Sequence, residues 1–149
     1  GTLKSNQSYY KKEVLEVAEN LGFLKSKKLQ IINPKDKVLN YLPAFNIFIL
    51  TSEYEGLPIS LIEAMSAGLP VITTDAGSIK SAIQNNKGGF VVSATKFNLN
   101  LFSRLLARLI KNTKKRNIYG SRNKLIVKKR YTLKRLTETH INTYKNALK

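Results

Sequence analysis

The sequence predicts an α/β fold, and three observations carry that prediction. Short, nearly uninterrupted apolar runs of strand length recur along the chain: "LQII" from Leu29, "NIFILTS" from Asn46, "PVITT" from Pro70 and "GGFVV" from Gly88. Between them lie stretches whose apolar residues repeat at helical spacing. Glycine, proline, serine or asparagine stands where each of those stretches should start or stop. Strands that alternate with helices pair in parallel through right-handed crossovers, so the expected architecture is a Rossmann-like open sheet with flanking helices.

Taken in order, Ser8 is placed to cap a helix through "YYKKEVLEVAENLG", with Tyr10, Val14, Val17, Ala18 and Leu21 on one face and Gly22 at the C-terminal cap. The short strand from Leu29 follows. Asn33 and Pro34 read as an N-cap with proline at the first helical position, which predicts a short helix over "KDKVLNYL". "NIFILTS" has the pattern of a central parallel strand covered on both faces. A loop at residues 53–57 leads into a helix from about Pro58 to Ala67, closed by Gly68, and then to the strand at Pro70. Beyond Asp75 and Gly77 a helix is expected near Ser78 to Asn86, then the "GGFVV" strand. From Phe97 onward the chain reads as three helices, the last starting near Thr132 with Leu133, Leu136, His140, Tyr144 and Leu148 along one side.

A chain of 149 residues, 42 % of them hydrophobic, suits one packed domain. No apolar run approaches the roughly 20 residues needed to span a bilayer, so a soluble or peripheral, cytoplasmic protein is expected. Cysteine is absent, which excludes disulfides, thiol catalysis and cysteine metal sites. The formal charge of +17 draws the chain toward polyanions: nucleic acid, phosphorylated metabolites or an anionic membrane. From Ala76 to Thr137 there is no acidic residue, while Arg104, Arg108, Lys111, Lys114, Lys115, Arg116, Arg122, Lys124, Lys128, Lys129, Arg130, Lys134 and Arg135 crowd that stretch. Read for function, such a tail would dock on anionic lipid headgroups; read plainly, it is a solvated basic surface. His140, the sole histidine, is assigned to packing or the surface, and neither a zinc cluster, a calcium loop nor a P-loop is legible.

Against this background "SEYEGLPISLIEAMSAGLPVI" is an acidic island: Glu53, Glu55 and Glu63 with no basic residue among them. It begins where the strand from Asn46 ends, and in open parallel sheets ligands bind outside the carboxyl ends of the strands. Gly56 permits close approach to the main chain, and Pro58 is pre-set for the first helical turn. Exposed N–H groups there would favour an anion by roughly 0.3 to 1 kcal/mol per charge at a surface, and up to about 2 when partly buried. Carboxylates accept hydroxyl hydrogen bonds well. Phosphate beside backbone donors and hydroxyls beside carboxylates describe a nucleotide sugar. The plain alternative leaves Glu63 complementing the helix dipole and Glu55 as solvated loop.

The longer stretch "SEYEGLPISLIEAMSAGLPVITTDAG" resembles the signature of the group 1 glycosyltransferases (family four, GT-B fold): a strand ending in Ser, then E-G-x-P, then E-A-M-x-x-G-x-P-V-I. Glu55 and Glu63 match the family's E-x7-E motif. The resemblance runs more loosely through "NNKGGFVV" and the basic helices, from about Ser8 onward, and covers most of the C-terminal, donor-binding half of the family fold. It implies a chain 1–149 that is a donor-binding domain, with C-terminal helices from about 97. The acceptor domain, the opening strands and the family's Arg and Lys pair for the diphosphate are expected to lie outside it. Departures are Ser78 for a second glycine, Ser81 for Glu and Asn46 for Asp.

Residue by residue, the resemblance gives Glu55 a catalytic place at the donor sugar hydroxyls near the reacting centre. It sets the main chain of Gly56, Leu57 and Pro58 against the same sugar or the phosphates, and Glu63 on the ribose. The implied reaction is hexosyl transfer from a nucleotide diphosphate sugar to a glycan or lipid-linked acceptor in cell-surface glycan or glycolipid synthesis, with retention. No cofactor and no metal are implied, because a helix N-terminus and basic side chains stabilise the departing diphosphate. Two rival readings remain: a non-catalytic fragment, and a basic nucleic-acid-binding module, which the charge favours but no recognition motif supports.

Overall fold

The computed structural model describes residues 5–30, 38–83 and 87–148. The chain divides into two compact units, Gly1–Lys35 and Asp36–Lys149. In the first, helix α1 spans Ser5–Asn20, so Ser8 lies inside it rather than at its cap. Its far end is as expected: Gly22 has φ +68°, the Phe23 N–H donates to the Ala18 carbonyl at 2.8 Å, and the Gly22 N–H donates to Glu19 at 2.8 Å. That pair of bonds is a Schellman closure. Ala18 is buried, while Val14, Val17 and Leu21 of the same face stay more than half exposed. Leu29 and Gln30 are not in a strand, and the rest of the strand expected there lies outside the described residues. Of the helix expected over "KDKVLNYL", the described part is a pair of 3-10 turns, Val38–Asn40 and Leu42–Ala44, the second with Pro43 in its first turn.

The second unit holds a parallel sheet of three strands in chain order: β1 (Phe48–Leu50), β2 (Val71–Thr74) and β3 (Gly89–Val92). Phe48 pairs with Val71 and Leu50 with Thr73; Val71 pairs with Gly89 and Thr74 with Val92. Successive residues of a strand face opposite sides, and here they feed two cores. Val71 joins Leu61, Met65, Ile79, Ile83 and Ile126 on one face. Ile72 joins Phe90, Val92, Phe102, Leu109 and Tyr119 on the other. Leu61, Met65, Ile72, Ile79, Ile83 and Leu109 are fully buried, each contributing about 1.5–3 kcal/mol of transfer free energy.

Helices α2 (Ile59–Ala67), α3 (Ile79–Ile83), α4 (Leu99–Lys111), α5 (Thr113–Arg130) and α6 (Leu133–Ala147) complete the unit. The three helices expected after Phe97 are all present. Asn98, Asn112 and Thr132 cap them, each side-chain oxygen accepting a backbone N–H from the first turn. Residues 84–86 of the helix expected near Ser78 lie outside the described residues. No helix among the described residues is long and apolar enough to cross a membrane.

One expectation is corrected. The strand whose residues are all buried is β2. In β1, Ile49 is 45 % exposed, so the cover on both faces expected of the run at Asn46 is not found there. A continuous apolar run reports burial of only as much of the strand as has neighbours on each side, and among the described residues β1 pairs with β2 alone.

Buried Asn123 ties α5 to the sheet. Its amide nitrogen donates to the carbonyls of Leu69 (2.8 Å) and Gly88 (2.7 Å), the residues leading into β2 and β3. At Gly120 the same helix backs onto the Gly68 carbonyl so closely that any side chain would collide with it. Those two contacts seat α5 beside the C-terminus of α2. They therefore fix the axis of the helix whose opposite end forms the site.

Candidate functional site

The loop between β1 and α2 carries the acidic island, and three hydrogen bonds hold it. Ser52 Oγ donates to Glu55 Oε1 at 2.7 Å, which makes Glu55 a half-buried, oriented carboxylate. Thr74 Oγ1, at the end of β2, donates to the Ser52 carbonyl at 2.5 Å. The Ser78 N–H donates to the Gly56 carbonyl at 2.9 Å. The backbone N–H does this work, so serine serves where the family pattern has a second glycine.

Gly77 makes that last contact possible. It has φ +56°, and a Cβ there would strike the Glu55 carbonyl and lie 2.7 Å from that of Gly56. Only glycine adopts this backbone and leaves room for the loop behind it. Sequence reasoning placed Gly77 merely between two elements. The signal available was "DAG" following a strand, which marks a turn but not what presses against it. Gly56, by contrast, has open space around its Cα and no positive φ, as a position meant to admit a ligand would.

α2 begins at Ile59 with Pro58 as its N-cap residue (φ −68°, ψ 128°), and no side chain caps it. The Pro58 carbonyl accepts from Leu61 (3.2 Å) and Ile62 (3.4 Å), which leaves the earlier donors of the turn to a ligand or solvent. Leu57 and Ile59 are 41 % and 75 % exposed beside them. Glu63 lies one turn further along, half-buried on α2, while Glu55 stands in the loop. The two carboxylates thus come from different elements, one from the loop before α2 and one from the middle of that helix. The helix ends at Gly68 in the left-handed conformation (φ 83°), as expected.

The charge pattern is unusual for so basic a chain. Among the described residues the ion pairs are Lys12–Glu16 (3.8 Å) and Arg135–Glu138 (3.6 Å), each within one exposed helix. Glu53, Glu55 and Glu63 therefore face solvent or a ligand without a basic partner among those residues. Chemically the site offers backbone donors for an anion and two half-buried carboxylates for hydroxyls. His140 sits exposed on α6, its Nδ1 2.9 Å from the Leu136 carbonyl, remote in function from any such constellation. The described residues hold no cluster of three or more His, Asp or Glu suited to a metal.

Comparison with known proteins matches the fold and the family. The family described as glycosyl transferases group 1 matches residues 7–125. The Vi polysaccharide biosynthesis protein VipC/TviE of Salmonella typhi is 31 % identical over 132 residues, covering 88 % of this chain and 22 % of that protein. A UDP-Gal:alpha-D-GlcNAc-diphosphoundecaprenol alpha-1,3-galactosyltransferase of Escherichia coli is 32 % identical over 66 residues, 44 % of this chain and 17 % of that protein. The chain thus spans about a fifth of the length of these relatives. Among solved structures, the C-terminal domain of a group 1 family glycosyl transferase from Francisella tularensis superposes with a TM-score of 0.72 over 87 % of this chain and 66 % of that one, at 22 % identity. The sucrose-phosphate synthase of Thermosynechococcus elongatus gives 0.77 over 94 % of this chain and 35 % of that one, at 15 % identity. At such identities these likenesses speak to the shared fold. With residues 7–125, most of its length, matched to the family, the chain belongs to the glycosyl transferases of group 1.

Proposed function

We propose that residues 1–149 serve as the donor-binding part of a hexosyltransferase that moves a sugar from a nucleotide diphosphate sugar to a glycan or lipid-linked acceptor. The observation that carries this reading is the N-terminus of α2, which no side chain caps, with half-buried Glu55 in the loop before it and half-buried Glu63 on the same helix, neither in an ion pair among the described residues. The diphosphate rests on the N–H groups at the start of α2, with the Gly56, Leu57 and Pro58 main chain against it or the transferred sugar. Glu55, oriented by Ser52, accepts sugar hydroxyls near the reacting carbon. Glu63 accepts the ribose hydroxyls. As glycosidic oxygen leaves with the diphosphate, negative charge grows on the phosphate, and fixed donors stabilise it without reorganising. The reaction is assigned retention, needs no metal, and takes its acceptor from a further domain.

A relative that matches most of this chain is named as a Vi polysaccharide biosynthesis protein, which supports the same setting here. A cytoplasmic enzyme peripheral to the membrane follows, its basic helices α4 to α6 turned to anionic lipid. Calorimetric titration with nucleotide diphosphates and their sugars tests the donor site. Selective binding of one nucleotide, weakened by Glu63→Ala by about 1 to 3 kcal/mol, is expected. Equal, salt-sensitive binding of every anion would move the nucleic-acid reading ahead.

A further inference from the structure

A cavity opens across the carboxyl ends of the three strands. It measures about 330 Å³ and is lined by Thr51, Ser52, Glu53, Thr74, Ala94 and Phe97. None of Glu55, Gly56, Leu57, Pro58 or Glu63 lines it, yet Ser52 belongs to both places, since its hydroxyl holds Glu55. The cavity therefore adjoins the donor site without being part of it.

Its chemistry is mixed in a particular way. Thr51, Ser52 and Thr74 bring hydroxyls, and Glu53 brings a carboxylate. Among the described residues the Glu53 and Thr51 side chains have no hydrogen-bonding or ionic partner. On the remaining side stands Phe97, an aromatic ring left 45 % exposed. It is firmly mounted. Its ring packs against buried Phe102 with centroids 5.6 Å apart, and the turn before it is tied by Asp75 Oδ1 accepting the Ala94 N–H (2.7 Å) and Ser93 Oγ accepting the Lys96 N–H (3.1 Å).

We propose that this cavity is a subsite for one neutral hexose ring of the acceptor. A hexose has a C–H face that an aromatic plate covers and a rim of hydroxyls that carboxylate and hydroxyl groups satisfy. Its volume lies at the small end of ligand pockets, as one ring requires. In a chain of net charge +17 the lining has no basic residue and one carboxylate without an ionic partner among the described residues, which disfavours phosphate and suits a guest rich in hydroxyls. The sugar's role as acceptor rests on the donor reading above; the subsite itself rests on the cavity.

The test is an amide-resolved NMR titration of the chain with methyl α-glucoside, methyl α-galactoside and methyl N-acetyl-α-glucosaminide, with uridine diphosphate titrated in parallel. At least one glycoside should bind saturably and shift the amides of Thr51, Ala94 and Lys96. Phe97→Ala should weaken it at least tenfold, and Glu53→Gln, which leaves the core untouched, by a smaller but measurable factor. Glu63→Ala should leave glycoside binding unchanged. The subsite is overturned if no glycoside shifts those amides, or if Glu53→Gln and a folded Phe97→Ala both bind as the parent does. It is overturned equally if Phe97→Ala removes nucleotide binding, because the cavity would then belong to the donor site. Glycoside binding without nucleotide binding in the parent would count against the donor reading and for the subsite.

Discussion

Replacing Gly77 by alanine should damage the proposed donor loop without changing any residue proposed to meet a ligand. Two costs can be worked from the structure. At φ +56° an L-residue loses roughly 1–2 kcal/mol relative to glycine. In addition the new methyl group would overlap the Glu55 carbonyl and lie 2.7 Å from that of Gly56, against an ordinary C···O approach of about 3.3 Å or more. The loop must retreat by over half an ångström, which breaks or stretches the 2.9 Å bond from Ser78 and carries Glu55 with it. Overpacking of this kind costs about 1–3 kcal/mol. The sum is a loss of about 2–5 kcal/mol, or on the order of 10 °C in Tm for a domain of this size. Nucleotide affinity should fall as well, since donors and carboxylates no longer share one geometry. Thermal and urea unfolding with a calorimetric titration read both effects. Gly56→Ala is the control: open space surrounds it, so its stability should stay within about 0.5 kcal/mol of the parent. If Gly77→Ala melts with the parent and binds nucleotide equally well, the loop is not clamped at residues 77–78 and the geometry assigned to Glu55 is wrong.

Other perturbations separate scaffold from site. Asn123→Ala removes the donor shared by Leu69 and Gly88 and opens a cavity under α5, so denaturant unfolding should register a loss of about 2–4 kcal/mol. Gly120→Ala forces a methyl group onto the Gly68 carbonyl and should also destabilise, by about 1–3 kcal/mol; a neutral result would mean that α5 does not approach α2 so closely. Ser52→Ala frees Glu55 at a cost near 1 kcal/mol in stability, and in a complete enzyme it should lower kcat more than it raises KM. Changing Lys128, Lys129 and Arg130 together to Glu should reduce binding to anionic vesicles while leaving nucleotide binding intact; unchanged sedimentation with such vesicles would remove the membrane role from these helices.

How much of this was legible from residues alone differs by element, for physical reasons. Gly68, Pro58 and the apolar spacing between them announced α2, because caps and periodicity are local signals. The strands at Asn46, Pro70 and Gly88 and their parallel pairing followed from alternation with helices. The exposure of β1 could not be read, since it depends on which neighbours pair with it. The described part of the helix expected over "KDKVLNYL" is 3-10 turns, Val38–Asn40 and Leu42–Ala44. Gly77 and Asn123 act through contacts far along the chain, with Glu55 and with Leu69 and Gly88 respectively. Side chains like these look ordinary in sequence. The glutamates were legible because nothing basic stood near them, and the absence of ion pairs at them among the described residues agrees.

The most direct test of the donor site is an amide NMR titration with a nucleotide diphosphate sugar at low and at high salt. Binding at the start of α2 predicts that the amides of Gly56, Leu57, Ile59 and Ser60 shift, that the shifts survive high salt, and that Glu63→Ala diminishes them. Shifts spread over the lysines and arginines of α4, α5 and α6 that vanish in salt would contradict it, leaving a basic surface that attracts any polyanion.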